Sequence, residues 1–478
     1  MSSWKRQLYW WHRWLGIAIG LLVLLWFGSG IVMMYVPYPE LTEQERMGWL
    51  APLDPDRVQV TAAEAWTVSG TGSAAPDAVR LNTVAGRPAW HFHHERSWHS
   101  VWADGGGPLE VNYLIVSSSA RSAAPDAHSL AVDKIELDQW TFGAVRAHRP
   151  LYRVAADDAA GSVLYVSGRS GELVRDTTRN ERAWNWVGSV IHWVYVTPLR
   201  KHDEAWRQAV MWTSGVAMVL AMTGMVISVL RLRVRRRYAG GRMSPYTGWK
   251  AWHHWLGLGV GVLVITWLFS GWLSVGPFGF PSGGGVTAHD RQAFAGGALD
   301  SDDLALDAAA LLRAHPGTLE LEWRRVGGKL YLSALGRQGR RLVDTRDSAV
   351  VPGVPHDLLL HAAQAIRPGA LMQAELLTGP DDYYYSHHRK AAFPVLRARF
   401  DLPDAPVFYI DPAQGRLAGY VDRDKRWDRW LFNGLHQLDF AFLRTRPLWD
   451  VVVIVLCVLG FALTFSGLVL GWRRLTKG

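Results

Sequence analysis

Four stretches of the chain, 14–36, 208–230, 255–277 and 448–470, are apolar and nearly free of charge. Each runs for 23 residues, enough for a helix to cross about 30 Å of hydrocarbon. Lipid offers no hydrogen bonds to a backbone, so stretches of this kind are restricted to helix. The rest of the chain must fold as tails and connections around four spans. The first run is longer than a signal-peptide core and has no A-x-A-like site just after it, which predicts a retained anchor.

Charge orients the spans. Lys5, Arg6 and Arg13 lie at the start of the first, a basic run from Arg231 to Lys250 joins the second to the third, and Arg473, Arg474 and Lys477 follow the fourth. The positive-inside rule then predicts two cytoplasmic termini and external segments at about 37–205 and 278–446. In a bacterium this is a multi-pass inner-membrane protein with periplasmic domains. The net charge of +9 reads as this orienting signal, since the densest cluster, Arg231 to Arg237, abuts a span. No nucleic-acid partner is expected. Many of the 26 tryptophans flank the apolar runs, as interfacial belts in contact with membrane lipid do. The single cysteine, Cys457, excludes an internal disulfide, a thiolate-held iron–sulfur cluster, a Cys-based zinc site and C-x-x-C-H haem attachment.

The chain also repeats itself. Trp11-His12-Arg13-Trp14-Leu15-Gly16 opens the first run, and Trp252-His253-His254-Trp255-Leu256-Gly257 opens the third. A Ser-Gly pair, Ser29-Gly30 or Ser270-Gly271, follows 17 residues beyond each first histidine. Segments ending in His192 and His436 precede the second and fourth runs, each 27 residues after a tyrosine, Tyr165 or Tyr409. Upstream, Val163–Val166 with Gly171–Leu173 matches Val407–Ile410 with Gly415–Leu417. The offset between halves stays within 241 to 244 residues. This predicts an internal duplication of span, outer domain, short surface helix and span, with a pseudo-twofold axis along the membrane normal. In the outer segments, short alternating runs such as Leu321–Trp323 with Leu330–Leu332 read as antiparallel hairpins. Helical patterns at 302–313 and 356–366 complete small α+β modules packed side by side.

A lone histidine at a membrane edge reads as one more interfacial residue. The duplication alters that reading. It places His12 and His253 at equal depth near the cytoplasmic face, and His192 and His436 at equal depth near the outer face. Two histidines facing across an axis suit the two sides of one haem iron. Two pairs make two noncovalent haems, haem b by default. A competing pairing joins His12 to His192 and His253 to His436. His254 and His202 are substitute ligands. Their repeat counterparts, Arg13 and Arg446, cannot ligate iron and suit haem propionates instead.

Other features read as structural. Gly16, Gly20, Gly257 and Gly261 suit close helix packing, and so do the Ser/Thr-Gly pairs of all four spans: Ser29-Gly30, Thr223-Gly224, Ser270-Gly271 and Ser466-Gly467. His91, His93, His94 and His99 form a cluster that reads as solvated strand and turn residues or as a metal site, the former favoured. Tyr383 to Lys390, with His387 and His388, reads as a solvated loop or as a surface for an anionic metal chelate.

The His-Arg-Trp-Leu-Gly start, the Leu/Ile-His segments before the even-numbered spans and the hairpins ending Gly-x-Leu resemble the PepSY-associated transmembrane proteins, over nearly the whole chain. The resemblance implies a four-transmembrane-helix bundle from an internal duplication, with two extracytoplasmic α+β PepSY-like regions. The expected boundaries are 1–36 for the tail and first span, 37–183 for the first PepSY-like region, and 184–205 for an interfacial helix. The second span follows at 206–231, a basic cytoplasmic loop at 232–250 and the third span at 251–277. The second region takes 278–426, a second interfacial helix 427–446, and the fourth span and tail 447–478. The family includes haem-containing ferric-siderophore reductases. The resemblance therefore implies that His12, His192, His253 and His436 ligate haem iron. The chain departs from the family pattern in Trp193-Val194-Tyr195 after its second histidine and Gln437-Leu438-Asp439 after its fourth.

These readings lead to a transmembrane electron conduit. A cytoplasmic reductant or membrane quinol supplies electrons, and a periplasmic ferric chelate such as a ferric siderophore receives them. No flavin or nicotinamide fingerprint occurs, so the donor is a separate molecule. Two rival classes stay open. A transporter component is disfavoured by spans without charges along an ion path. A PepSY-type regulatory or binding protein leaves four register-matched histidines without a role.

Overall fold

The computed structural model describes residues 3–70, 74–279, 283–387 and 390–476. Of the residues singled out above, His388, Arg389 and Lys477 lie outside the described set. The chain forms two compact units. One comprises Met1–Tyr38, Ala183–Gly283 and Asp424–Gly478, and the other Pro39–Arg182 and Gly284–Arg423.

Among the described residues, the first unit contains four helices long and apolar enough to cross a membrane: Ser3–Met33, Asp203–Arg231, Gly248–Leu273 and Leu448–Thr476. Ile19, Val23, Phe27, Ala217, Val264 and Leu268 pack into a shared core. The small residues let the helices close up. A Cβ at Gly20 would sit 3.1 Å from Leu468, and one at Gly261 would sit 2.5 Å from Met225. Helix packing is thus what Gly20 and Gly261 serve.

The segments before the even-numbered spans differ from expectation. Neither 184–205 nor 427–446 is a continuous helix. Short helices, Arg179–Asn185 and Arg423–Asp428, run into π-type turns, Trp186–Val190 and Arg429–Gly434. Val194 and Leu438 then take positive φ, at 55° and 52°, and the helical path ends. Gly188 shows the cause at the first site. It lies off the helical region at φ −92° and ψ −105°, and a Cβ there would come within 3.0 Å of Val32. Packing against the first span overrides helical continuity and delivers His192 to that span.

The second unit holds the sheets. In the first half, β1 (Ala78–Val84), β2 (Arg87–His94) and β3 (Ser97–Trp102) precede β4 (Leu130–Ile135), β5 (Leu151–Ala156), β6 (Val163–Ser167) and β7 (Leu173–Thr177). In the second half, β8 (Glu320–Val326), β9 (Lys329–Gly336), β10 (Gly339–Asp344) and β11 (Val350–Val351) precede β12 (Met372–Leu377), β13 (Val395–Phe400), β14 (Val407–Asp411) and β15 (Arg416–Val421). The four-stranded sheets β4-β5-β6-β7 and β12-β13-β14-β15 share one strand order. Each carries a register shift at its matched tyrosine, between Tyr165 and Val166 and between Tyr409 and Ile410. The tyrosine hydroxyls donate to matched aspartates, Tyr165 to Asp138 at 2.6 Å and Tyr409 to Asp381 at 2.7 Å.

The remaining strands do not form two separate modules. They join in one seven-stranded sheet of order β11-β10-β9-β8-β1-β2-β3, closed by antiparallel pairing of β1 with β8. The two outer segments are therefore continuous through this sheet. Hydrophobic alternation marks strands but does not say which edges meet. The helical pattern at 302–313 is also split, into Ser301–Leu304 and Ala308–Ala314, because Asp307 caps the second piece by accepting from the Ala310 amide at 3.0 Å.

Charge is buried where the seven-stranded sheet closes. Glu320 on β8 accepts from Arg46, Arg80, Arg340 and Asn82, and Glu172 accepts from Arg46, Arg80 and Asn82. Burial alone would raise both carboxyls. The arginines override it and hold both well below the usual carboxylate range.

Candidate functional site

The first unit brings the four predicted membrane histidines together in two pairs. His12 and His253 have ring centroids 6.1 Å apart, and His192 and His436 have centroids 6.0 Å apart. His12 lies near the start of the first span, while His192 meets that span at Ser29, 17 residues on. That is about 25 Å along a helix, so the competing pairing is not the one the fold assembles. Two metal–imidazole bonds of about 2 Å separate the bound nitrogens by about 4 Å and the ring centroids by about 6 Å. Both pairs have the separation of imidazoles on opposite sides of one metal.

Each ring is held by the same device. Ser29, Thr223, Ser270 and Ser466 donate their hydroxyl protons back along the helix to the carbonyls of Trp26, Leu220, Trp267 and Leu463, at 2.6–3.1 Å. Each oxygen is then left as an acceptor. His192 Nδ1 meets Ser29 Oγ at 3.1 Å, His436 Nδ1 meets Ser270 Oγ at 3.1 Å, and His253 Nδ1 meets Ser466 Oγ at 3.0 Å. His12 Nδ1 lies 3.4 Å from Thr223 Oγ1 and 3.1 Å from the Leu220 carbonyl. The Leu463 and Trp267 carbonyls also receive His253 and His436, at 3.1 and 3.2 Å. Carbonyls cannot donate, so Nδ1 carries the proton and Nε2 keeps its lone pair. Among the described residues, Nε2 of these four histidines has no hydrogen-bond partner. An Nδ1–H donated to a carbonyl or hydroxyl is the support a metal-ligating histidine needs.

The glycine that follows each hydroxyl residue makes room for the ring. An added Cβ would lie 2.6 Å from His12 at Gly224, 3.1 Å from His253 at Gly467, 3.2 Å from His436 at Gly271 and 3.6 Å from His192 at Gly30. The four Ser/Thr-Gly pairs are therefore histidine cradles, which corrects their reading as packing features. The signal was in the sequence as one pair per histidine at matched spacing.

The remaining predicted residues fall elsewhere. Arg13 is exposed, with no ion-pair partner among the described residues. Arg446 donates to the Met34 carbonyl at 3.2 Å and faces Asp450. His254 is buried with Nε2 on the Ser228 carbonyl at 3.0 Å, and His202 is exposed ahead of the second span. Neither joins a pair. Trp26 and Trp267, one turn before the outer cradles, bury indole N–H groups that have no hydrogen-bond partner among the described residues.

A family model described as PepSY-associated TM region matches residues 9–474. The chain belongs to this family. No curated protein matches the chain. As a PepSY-associated membrane protein, it carries its sheet unit in the two long segments between spans.

The histidines of that sheet unit behave differently. His91 is fully buried, with Nδ1 on Ser100 Oγ at 2.8 Å and Nε2 on Asn82 Oδ1 at 2.9 Å. It is a core histidine and not a solvated one, since β2 is covered on both faces along its middle. His93 faces Asp77 at 3.3 Å and stands edge-on to Trp98. Among the described residues, no group of three or more histidine, cysteine or acidic side chains is placed to hold a metal ion. Tyr384 stacks on Tyr409 with centroids 4.8 Å apart, so the loop that begins at Tyr383 is anchored to its sheet.

Proposed function

We propose that this chain is a di-haem electron conduit of the bacterial inner membrane, built by internal duplication. The observation that carries the proposal is the pairing of histidines across the halves, each with Nδ1 held and Nε2 left for a metal. The four histidines would hold the haem irons, the hydroxyls and carbonyls of the spans fix the imidazole tautomer, and the glycines make room for each ring. The apolar core between the pairs excludes water. Bound haem would supply one-electron chemistry at each level of the bundle. The flanking arginines and lysines support a cytoplasmic side for the His12 and His253 end, where a reductant or quinol donates. The His192 and His436 end faces the periplasm, where a ferric chelate such as a ferric siderophore accepts. Reduction weakens hard-oxygen chelation of iron and releases it.

Visible spectra of the oxidised and reduced protein, purified in mild detergent from cells given ample haem, test the proposal. The expected result is a low-spin haem spectrum with two haems per chain. Absence of a haem band contradicts the conduit and leaves a regulatory or binding role.

A further inference from the structure

The two histidine pairs match in separation and differ in twist. Their ring planes meet at 41° for His12 and His253, and at 72° for His192 and His436. One residue that the repeat does not share stands against the outer pair. Phe432 lies four residues before His436 and stacks on its ring, with centroids 5.1 Å apart and planes 16° apart. Four residues before His192 stands Gly188. A side chain at Gly188 would meet Val32 and Met33 of the first span, not the imidazole. His436 is therefore held on its face by Phe432 and at its edge by Ser270 and Gly271. Among the described residues His192 has no such stacked ring on its face, and its edge meets Ser29 and Gly30.

The angle between two axial imidazoles matters to a low-spin iron. Each ring interacts through its π system with the iron d orbital that lies across its plane. Parallel rings load the same orbital and stabilise ferric iron. Crossed rings load two different orbitals, leave them close in energy and stabilise ferric iron less. Crossing the rings thus raises the reduction potential, one of the levers a protein has over a bound haem. We propose that Phe432 is a positioning residue that turns His436 across His192 and makes the outer centre the stronger oxidant. This rests on haem ligation by the four histidines. Electrons then run downhill from the His12 and His253 level to the His192 and His436 level. In each transfer one ferrous iron at the inner level becomes ferric and one ferric iron at the outer level becomes ferrous, with no atom or proton moved.

The test uses the full chain in detergent, with electron paramagnetic resonance of the oxidised protein and a potentiometric titration followed by absorption. The wild type should show two low-spin ferric signals, one rhombic and one with a large maximum g value. The large-g signal and the higher midpoint should both vanish in His436→Ala. Phe432→Leu should move the large-g signal toward the rhombic type and lower the higher midpoint only. Phe432→Tyr, which keeps the stacked ring, should restore both. Two rhombic signals in the wild type overturn the proposal, as does an unshifted upper midpoint in Phe432→Leu. If Phe432→Leu fails to bind the outer haem, the wild-type assignment decides, and a large-g signal lost in His253→Ala overturns it. A protein with no haem band contradicts the conduit itself, a result read from absorption before any resonance spectrum.

Discussion

Histidines of two kinds occupy the two units. His91 in the sheet unit has both ring nitrogens engaged, by Ser100 and Asn82. The four membrane histidines have one nitrogen engaged and one left over. The same residue type is a finished core element in one place and, on the proposed reading, a metal ligand in the other. Partial burial does not by itself separate a ligand from a core residue: His91 is fully buried and the four membrane histidines are partly buried. The hydrogen-bond inventory does. A saturated imidazole stabilises a fold, whereas a half-saturated one suits a metal where a second such ring faces it; His254, with Nδ1 unpartnered among the described residues, joins no such pair.

The comparison breaks most visibly at a glycine. Gly224→Ala places a methyl 2.6 Å from His12 Cε1, too close for the ring to stay. The bound haem should fall from two per chain to one, measured by pyridine haemochrome assay. Alanine at Gly467, Gly271 and Gly30 should cost progressively less, following their 3.1, 3.2 and 3.6 Å clearances. An inverted ranking would show that the glycines serve another purpose. Next in size is Glu320→Ala, which strips Arg46, Arg80 and Arg340 of a shared, fully buried carboxylate. Breaking a buried ion network by removing one partner costs about 3–5 kcal/mol. Thermal or denaturant unfolding of the sheet unit should register it, with haem content unchanged.

These two changes also show what the sequence made legible. The four spans, the repeat and the paired histidines follow from local pattern, because hydrophobic length and a fixed offset are visible residue by residue. The pairing of β1 with β8 was not legible. It joins strands about 240 residues apart through Arg80, Leu81 and Asn82 opposite Glu322, Leu321 and Glu320, and nothing local states that these edges meet. The cradle role of Ser29-Gly30 and its three counterparts was half legible. The repeated letters are plain in the sequence, but a Ser-Gly pair on a helix serves packing as readily as a ring. The π-type turns before His192 and His436 have no local signature, because they depend on packing onto the spans.

Smaller effects sharpen the contrast. His91→Ala leaves Asn82 Oδ1 and Ser100 without their partner and should cost about 1–3 kcal/mol, again with the haem spectrum intact. Burial lowers the His91 imidazole to about 4, so the folded state resists its protonation. Its contribution is present above the unfolded value of about 6.5 and is lost as pH falls toward 4. Glu172 and Glu320, held low by arginines, lose theirs at still lower pH. The melting temperature should therefore drop on acidification from pH 7 to 4, and His91→Gln should flatten the upper part of that drop. The smallest effect is expected for Ser466→Ala. The Leu463 carbonyl still receives His253, so haem affinity should weaken by about tenfold, the low end for loss of a supporting hydrogen bond.

The central claim is that His12 and His253 ligate one metal and His192 and His436 another. Haem stoichiometry and reduced-minus-oxidised spectra of His12→Ala, His253→Ala and their double variant test it most directly. The pairing predicts that the double variant loses no more than either single, with one haem and the outer-site spectrum retained in all three. Loss of the second haem on adding His253→Ala to His12→Ala, or joint failure of His12→Ala with His192→Ala at one haem, would contradict it.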